Sequence, residues 1–174
     1  MGTLQTGLVH VFCDIVEAAG RFKNMQLILS LGNQVRAEQL GLLPSNAIVV
    51  SNAPQLELLK RASVCITHAG CNTVLECLTH GVPQVAIPVT NDQPGIAARI
   101  AEKKTGLFVP LRDLSAARLA CLLNQVLSDG AYRGNSRHFQ RTIAGHSGLS
   151  TAADLVEEAC GGIDRSSIAP QEGA

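Results

Sequence analysis

Five residues that a single phosphate-bearing ligand could use together stand close to one another in the run Thr-His-Ala-Gly-Cys-Asn-Thr-Val-Leu-Glu, which ends at position 76. They are His68, Gly70, Asn72, Thr73 and Glu76. The apolar residues before them, from Val64 to Thr67, predict a short buried strand, and the residues after Gly70 predict the first turn of a helix. A helix that begins where a strand ends presents free backbone N–H groups to an anion. The run therefore predicts an anion site.

Each of these residue types suits one part of a nucleoside diphosphate. Gly70 lets the backbone approach a phosphate without a Cβ in the way. The N–H groups of Asn72 and Thr73 can donate to phosphate oxygens where the helix dipole also favours negative charge. A protonated His68 would add a charge-assisted hydrogen bond, and Glu76, one turn further along, can accept hydrogen bonds from ribose hydroxyls. The combination predicts a site for a diphosphate with a ribose attached.

Simpler roles remain open for single residues. His68 could hydrogen-bond a neighbouring loop. Thr73 and Glu76 fit a capping box, in which Thr caps the first turn and Glu reaches back to an N–H group. Asp92 could cap the helix that follows it, and Gln55 could simply lie at a helix start. The prediction of a ligand site rests on the combination of residues.

Two other nucleotide-binding classes and a metal site are disfavoured by the motifs. No GxGxxG follows a predicted strand and no GxxxxGK[ST] occurs, which argues against a dinucleotide dehydrogenase and a P-loop NTPase. No Asp-x-Asp pair and no His/Cys cluster at ligand spacing predicts a catalytic metal. We expect neither a metal nor a cofactor.

Predicted strands alternate with predicted helices along most of the chain. Apolar runs bounded by turn residues predict strands at 25–31, 47–51, 64–67, 84–87 and 107–109. Apolar residues at helical spacing predict helices at 8–19, 54–62, 72–80, 95–101, 115–127, 131–143 and 149–160, with a further short helix within 34–43. This alternation predicts a doubly wound, Rossmann-like parallel sheet of the α/β class, which binds ligands at the carboxyl edge of its strands.

Four loops are expected to converge at that edge: Gly2-Thr3, residues 52–55, residues 68–73 and residues 90–93. The first of them leads into a helix, and a loop of this kind normally follows a strand. We therefore expect the first strand of the sheet to be missing from this chain. Residues 1–160 are predicted to form one domain and residues 161–174 a flexible tail.

Composition narrows the partners and the compartment. Because the formal net charge is zero, the sequence does not predict binding to nucleic acid. The six cysteines include no CxxC pair, so we interpret them as reduced core residues of a cytoplasmic protein. A peripheral membrane contact and self-association stay open. Four basic residues on one predicted helix, from Arg133 to Arg141, favour a solvated face over a lipid contact.

Several motifs together resemble the donor-binding motif of the UDP-glycosyltransferase superfamily, glycosyltransferase family 1. These motifs lie at 53–59, 67–76, 81–83, 88 and 92–93, and they include HxGxN[ST]xxE, Gly-Val-Pro and Asp-Gln. The resemblance covers about residues 2–160. Within it, residues 91–100 are similar to the bacterial carotenoid branch, the zeaxanthin glucosyltransferases.

The resemblance implies the C-terminal half of a GT-B enzyme, with the donor on this domain and the acceptor on an N-terminal domain that the chain lacks. The implied reaction is inverting and metal-independent. It moves glucose from UDP-glucose to a hydroxyl of a hydrophobic acceptor such as a carotenoid. The general base would be a His of the missing domain, so the resemblance implies no catalytic residue here and an inactive isolated chain. The UDP-sugar is a substrate, not a cofactor.

The resemblance also assigns roles to individual residues. The diphosphate would be held by His68, Gly70, Asn72, Thr73, Gly2 and Thr3. The nucleoside would contact Asn52, Ala53, Gln55 and Glu76. The sugar would contact Asp92 and Gln93. Many relatives have a Trp that stacks on the base where this chain has Asn52, which leaves the base preference open.

Two other functions stay open. The chain could be the soluble subunit of a naturally split UDP-sugar transferase, or it could be a non-catalytic domain that binds a UDP-sugar. The donor sugar and the acceptor are not specified by the motifs themselves.

Overall fold

The computed structural model describes residues 8–33 and 35–160, in which strands and helices alternate. The strands are β1 (Leu27–Ser30), β2 (Ala47–Val50), β3 (Cys65–Thr67), β4 (Gln84–Ala86) and β5 (Gly106–Phe108). The helices are α1 (Val9–Gly20), α2 (Gln55–Leu59), α3 (Cys71–Thr79), α4 (Gln93–Glu102), α5 (Ala116–Ser128), α6 (Gly130–Ala144) and α7 (Gly148–Ala159). Two 3-10 helices lie at Ala37–Leu40 and Leu111–Asp113. Gly2, Thr3 and the predicted tail at 161–174 lie outside the described residues.

All strand pairs in the described residues are parallel, which confirms the α/β class. β1 pairs with β2, with Ile28 opposite Ile48, and β3, β4 and β5 pair in that order, with Ile66 opposite Val85. The strands do not form the single sheet that the sequence predicts, because β1 and β3 are not hydrogen-bonded to each other. The described part of the fold therefore contains two half-sheets, one of two strands and one of three.

One apolar core joins the two half-sheets. Apolar residues of α1 and α5 recur every three or four positions, so each helix buries one face, and the two helices pack against each other. The core beneath them contains Leu29 of β1 and Val85 of β4. Asp14 of α1 accepts a hydrogen bond from the N–H of Ala116 at 3.1 Å, which ties the start of α5 to α1.

The direction of α1 is fixed at its carboxyl end. The side-chain amide of Asn46 donates to the carbonyls of Ala19, Phe22 and Met25 at 3.1, 3.0 and 2.9 Å. Asn46 directly precedes β2, so α1 ends at the amino edge of the strands. The helix therefore begins at the opposite, carboxyl edge, where ligands bind in this class of fold.

Several sequence predictions need correction. The short helix expected within 34–43 is a single 3-10 turn at Ala37–Leu40. Cys77 is buried, but Cys71, Cys121 and Cys160 are exposed, so the cysteines are not all core residues. α7 has no buried residue, and its Leu149 is 92% exposed.

None of the helices in the described part of the chain has the length and apolar character that crossing a bilayer requires.

Candidate functional site

The loop between β3 and α3 is tight and is held from within. Ala69 has a positive φ of 64°, which is unusual for a residue with a side chain. Its N–H group donates to Oγ1 of Thr67 at 3.2 Å, and its methyl group is fully buried among apolar side chains of α3, β4 and α4. These contacts stabilise the sharp turn that lets α3 begin at Cys71, directly beyond the strand. The first N–H groups of α3 therefore lie at the carboxyl edge, as the sequence predicts.

The imidazole of His68 lies against Gly70. A Cβ built on Gly70 would be 2.5 Å from Nε2 of His68, so a larger residue at position 70 would displace the ring. The ring is half-buried and has no hydrogen bond to any residue that the structure describes, so the hydrogen bond to a neighbouring loop is not seen. Burial lowers the pKa of His68 below its usual value, while the charge of Asp92 acts in the opposite direction. The imidazole is therefore mostly neutral at pH 7.

Gln55 and Glu76 connect two loops. The side-chain amide of Gln55, at the start of α2, donates to the carboxylate of Glu76, and it approaches Oγ1 of Thr73 at 3.4 Å. The capping-box interpretation of Thr73 and Glu76 is wrong, because the N-cap of α3 is Gly70 and no side chain caps the helix. The polar atoms of Thr73 and Glu76 thus face the loop that carries Gln55. A hydrogen-bond donor and an acceptor therefore lie side by side at this edge.

The fourth loop, at residues 90–93, is organised by Gln93. The Oε1 atom of Gln93 accepts hydrogen bonds from the N–H groups of Val89 and Thr90 at 2.8 and 3.0 Å, and the side chain is buried. Asp92 is exposed and occupies the N-cap position of α4, but its carboxylate makes no capping hydrogen bond. Asp92 lies near enough to His68 to affect its pKa. The structure thus brings the loops at 52–55, 68–73 and 90–93 to one edge, whereas Gly2 and Thr3 lie outside the described residues.

A concavity beside Asn52 was not predicted from the sequence. Asn52 is exposed and Ala53 is half-buried, and both lie in the short connection between β2 and α2. The concavity, of about 410 Å³, opens at the carboxyl ends of β1 and β2. Its lining includes Gly32, Asn33, Arg36, Val50 and Ser51. The turn pair Gly32-Asn33 at a strand end was the available signal. By itself, the pair predicts only the end of a strand.

Two thiols lie beneath the site. The neighbouring Cys65 thiol, on β3, and burial together raise the pKa of the Cys77 thiol of α3 above its ordinary value. Cys77 therefore stays a thiol at neutral pH. The His, Cys, Asp and Glu residues of the described ranges form no group of three or more that could hold a metal ion.

Comparison with known proteins identifies the family. The C-terminal domain of the erythromycin biosynthesis protein CIII-like family matches residues 14–157. The chain belongs to this family. It is 30% identical over 159 residues to the UDP-glucosyltransferase YojK of Bacillus subtilis and 31% identical over 157 residues to the demethyllactenocin mycarosyltransferase of Streptomyces fradiae. These matches cover 91% and 90% of this chain but only 39% and 34% of the relatives.

Solved structures give the same family and fold. The glycotransferase of kitacinnamycin superposes with a TM-score of 0.84 at 31% identity, over 91% of this chain and 41% of that protein. CalG4, the calicheamicin glycosyltransferase, superposes with a TM-score of 0.81 at 26% identity, over 92% and 42%. The α/β fold is therefore that of the C-terminal domain of GT-B glycosyltransferases. The chain spans about two fifths of the length of these family members.

Proposed function

We propose that this chain is the donor-binding domain of an inverting, metal-independent glycosyltransferase that moves glucose from UDP-glucose to a hydroxyl of a hydrophobic acceptor such as a carotenoid. The observation that carries the proposal is the junction of three loops at the start of α3. There His68 lies over Gly70 while Gln55 joins the carboxylate of Glu76. The family supports sugar transfer, and the geometry supports a nucleoside diphosphate as the ligand.

The diphosphate is assigned to the start of α3. The N–H groups of Asn72 and Thr73 lie in the first turn, where the positive end of the helix dipole favours a phosphate. His68 is neutral before binding, and a bound diphosphate would raise its pKa and favour the protonated ring. Charge then grows on the leaving UDP during transfer, and these donors would stabilise it. Gly2 and Thr3 would close the site from the other side.

The nucleoside is assigned to the loop between β2 and α2. Glu76 would accept from the ribose hydroxyls, and Gln55 would hold that carboxylate in place. The backbone at Ala53 would contact the base. Because Asn52 cannot stack as an aromatic ring does, we assign the base to the concavity beside it. A pyrimidine is supported by the named donor of YojK and by VinC, a relative of 25% identity and TM-score 0.77, whose structure contains dTDP.

The sugar is assigned to Asp92 and Gln93. The Asp92 carboxylate is exposed and free of a capping role, so it can accept from sugar hydroxyls. Oε1 of Gln93 already holds the loop, which leaves its amide Nε2 to donate to the sugar. Gln93 would thus both position the loop and contact the donor.

The acceptor is assigned by the resemblance of residues 91–100 to carotenoid glucosyltransferases. Relatives in the family carry names such as demethyllactenocin mycarosyltransferase and oleandomycin glycosyltransferase, so the family accepts several kinds of acceptor. The general base and the acceptor contacts are assigned to an N-terminal domain. We therefore expect the isolated chain to bind UDP without turning over UDP-glucose.

Two alternatives use the same donor site. In one, the chain is a soluble subunit whose acceptor domain is a separate polypeptide. In the other, it binds a UDP-sugar without transferring it. Turnover on mixing with an acceptor domain would support transfer, whereas binding with no turnover in any such mixture would support the non-catalytic role.

Calorimetric titration of UDP tests the donor site. We expect His68→Ala and Glu76→Ala each to weaken binding by about tenfold or more, since each removes a charge-assisted hydrogen bond. The matched controls are His138→Ala on α6 and Glu102→Ala on α4, both exposed, and they should change the affinity less than twofold. A chelator should leave the wild-type affinity unchanged. Equal affinity in all variants, or no binding to the wild type, would contradict the proposal.

A further inference from the structure

A second concavity lies at the edge of the molecule opposite the donor loops. It has a volume of about 430 Å³ and is enclosed by residues at the end of α2, the end of α5 and the start of α6. Ala62 and Ser63, which line it, lie just before β3, whereas His68 follows that strand. The concavity is therefore at the amino edge of the strands, and a ligand there would leave the donor site open.

Positive charge is concentrated in this concavity, although the net charge of the whole chain is zero. Its lining contains one carboxylate, that of Asp129, and four cationic side chains: Lys60, Arg61, Arg133 and Arg137. Lys60 is paired with Glu57 at 2.7 Å, and Asp129 caps α6 by accepting a hydrogen bond from the N–H group of Ala131 at 2.9 Å. None of the three arginines forms an ion pair with a carboxylate that the structure describes. Their positive charge is thus not balanced by the described residues.

The guanidinium group of Arg133 is held in place by the backbone. Its Nη2 atom donates to the carbonyls of Ala62 and Ser63 at 3.3 and 2.5 Å, and the side chain is half-buried. A guanidinium group has five N–H donors, and these two bonds use only one of its nitrogens. The donors on Nε and Nη1 have no acceptor within the described ranges. Arg133 therefore presents a fixed fork of donors, which matches two oxygens of a phosphate.

Arg137 lies one helical turn beyond Arg133 on α6. Its stem packs against the end of α3, since a Cβ built on Gly81 would be 3.1 Å from its Cγ. Burial and the charge of Arg137 lower the pKa of Arg133 below its ordinary value, so the two cations repel each other. Like charges at this spacing destabilise a helix, and the positive end of the helix dipole also disfavours a cation near the start of α6. An anion bound between the two side chains would remove both costs.

A solvated basic face, which the sequence favours for this helix, explains only some of its cations. His138 and Arg141 are exposed and do not line the concavity, so they fit that description. Arg61 follows the carboxyl end of α2, where a cation is favoured. Neither explanation fits Arg133, which is half-buried and hydrogen-bonded, or its close approach to Arg137.

We propose that Arg61, Arg133 and Arg137 form a second anion site, at the amino edge of the strands, which binds a phosphate group of a free phosphorylated molecule or of a lipid headgroup. The fork of Arg133 would bind two phosphate oxygens, and the other two arginines would neutralise the remaining charge. The site is separate from the donor site, and it does not rest on the proposed function.

Titration with inorganic pyrophosphate, followed by NMR of the arginine Nε–H groups, tests the site directly. We expect the signals of Arg61, Arg133 and Arg137 to shift together. Arg137→Gln should weaken binding at the Arg133 signal by about tenfold, because it removes a charge-assisted hydrogen bond to the anion. Arg118→Gln, on the exposed face of α5, removes the same charge and should change the affinity less than twofold.

Arg137→Gln is the deciding variant because it breaks no hydrogen bond among the described residues. Arg133→Gln would also release the carbonyls of Ala62 and Ser63, so its loss of binding could follow from a local change of structure. Arg133→Lys keeps the charge and loses the fork, and we expect it to bind pyrophosphate more weakly than the wild type.

Sedimentation with vesicles distinguishes the two sources of phosphate. The vesicles contain equal parts of phosphatidylglycerol and phosphatidylcholine, and pure phosphatidylcholine vesicles are the reference. Binding to the anionic vesicles that Arg137→Gln weakens and Arg118→Gln does not would assign the site to a lipid headgroup. Pyrophosphate binding without vesicle binding would assign it to a free phosphorylated molecule.

Two results would overturn the proposal. One is a pyrophosphate titration in which the three arginine signals do not shift. The other is an equal loss of affinity in Arg137→Gln and Arg118→Gln, which would show that only the net charge of the chain matters. The backbone amides of Asn72 and Thr73 report the donor site in the same spectra. Shifts at the arginines without shifts at these amides would contradict the proposed function alone, and the reverse would contradict this inference alone.

Discussion

The imidazole of His68 fills the space in which a side chain on Gly70 would have to lie, with Nε2 only 2.5 Å from the Cβ position. Gly70→Ala should therefore push the ring out of place without changing any charged group. Because the backbone at Gly70 has an ordinary negative φ, the effect is steric and not conformational. We expect UDP affinity to fall by about tenfold and the free energy of unfolding to fall by about 1–3 kcal/mol. Calorimetry and urea unfolding measure the two effects.

Gly134→Ala is the matched control for that substitution. Gly134 lies in α6, and a Cβ added there meets nothing within 4 Å. Alanine is the better helix former, so the variant should gain about 0.5–1 kcal/mol in stability. Its UDP affinity should equal that of the wild type. If both glycine variants lose UDP binding to the same degree, the steric explanation for Gly70 is wrong.

The depressed pKa of His68 predicts a pH dependence of stability. The unfolded chain binds a proton at the usual value near 6.5, and the folded chain binds it only at lower pH because the ring is partly buried. The unfolded state therefore binds more protons between these values, and stability is lost as the pH falls from about 6.5 through the folded pKa. His68→Gln should remove this part of the acid destabilisation. Urea unfolding from pH 7.5 to 4.5 measures it, and identical profiles for the two proteins would contradict the prediction.

Protonation of His68 should be coupled to UDP binding. A diphosphate favours the protonated imidazole, so the affinity should rise as the pH falls toward the pKa of His68 in the complex. His68→Gln retains the titration of UDP itself and loses that of the ring, which makes it the control. NMR observation of the ring proton should show the pKa of His68 increase on saturation with UDP. A pKa that UDP leaves unchanged would place the phosphates elsewhere.

Substitution of Asn46 should lower the free energy of unfolding, although this residue lies far from the ligand edge. Its amide is the shared donor to three carbonyls at the end of α1 and in the connection to β1. Asn46→Ala should cost about 1–3 kcal/mol because partly buried carbonyls lose their partner. Asn46→Asp should cost more, since it places a carboxylate against them. Asn124→Ala, on the exposed face of α5, should change stability by less than about 0.5 kcal/mol. Similar losses of stability in Asn46→Ala and Asn124→Ala would contradict the structural role assigned to Asn46.

The sequence was sufficient to predict the elements and their class because their apolar residues repeat with the period of the structure they form. The spacing on α1 and α5 and the apolar runs of β4 are examples. It could not predict that α7 would be exposed, since an amphipathic pattern shows which face is apolar and not what covers it. The two half-sheets were likewise not predicted, because strand pairing depends on which strands are neighbours in space.

The sequence predicts that the loops at 52–55, 68–73 and 90–93 lie at one edge, but it does not predict the contacts between their side chains. Sequence spacing placed Gln55, Thr73 and Glu76 near one edge, yet it left a capping box open, which the observed helix start at Cys71 excludes. The approach of His68 to Gly70 depends on a side-chain rotamer. Likewise, the use of Gln93 to hold its own loop depends on a buried geometry that no spacing rule contains.

The exposed thiol of Cys71 provides a probe of the site. Cys71 is the first residue of α3, beside the N–H groups assigned to the diphosphate, and Cys121 on α5 is also exposed. Saturating UDP should slow alkylation of Cys71 several-fold and leave Cys121 unchanged. Cys77 should resist alkylation until the protein is unfolded, because it is buried and because burial and the neighbouring Cys65 raise the pKa of its thiol. Mass spectrometry of the labelled peptides measures all three. Equal protection of Cys71 and Cys121 would indicate that UDP stabilises the protein as a whole and does not bind at the start of α3.

The hydrogen bond from Gln55 to Glu76 should be coupled to nucleotide binding. Gln55→Ala leaves the Glu76 carboxylate without its donor, and Glu76→Gln keeps the shape of the side chain while removing the charge that ribose hydroxyls would meet. Each variant should weaken UDP binding by about three- to tenfold. The double variant should weaken it by less than the product of the two, since each change alone already weakens the interaction between the two side chains. Calorimetry of the four proteins with UDP gives the double-mutant cycle.

Uridine and inorganic pyrophosphate, titrated as separate ligands, show which part of UDP the two residues contact. The loss of affinity should appear with uridine and be absent with pyrophosphate, because Gln55 and Glu76 are assigned to the ribose. A loss of equal size with both ligands would indicate that Gln55 and Glu76 stabilise the loop and do not contact the ribose.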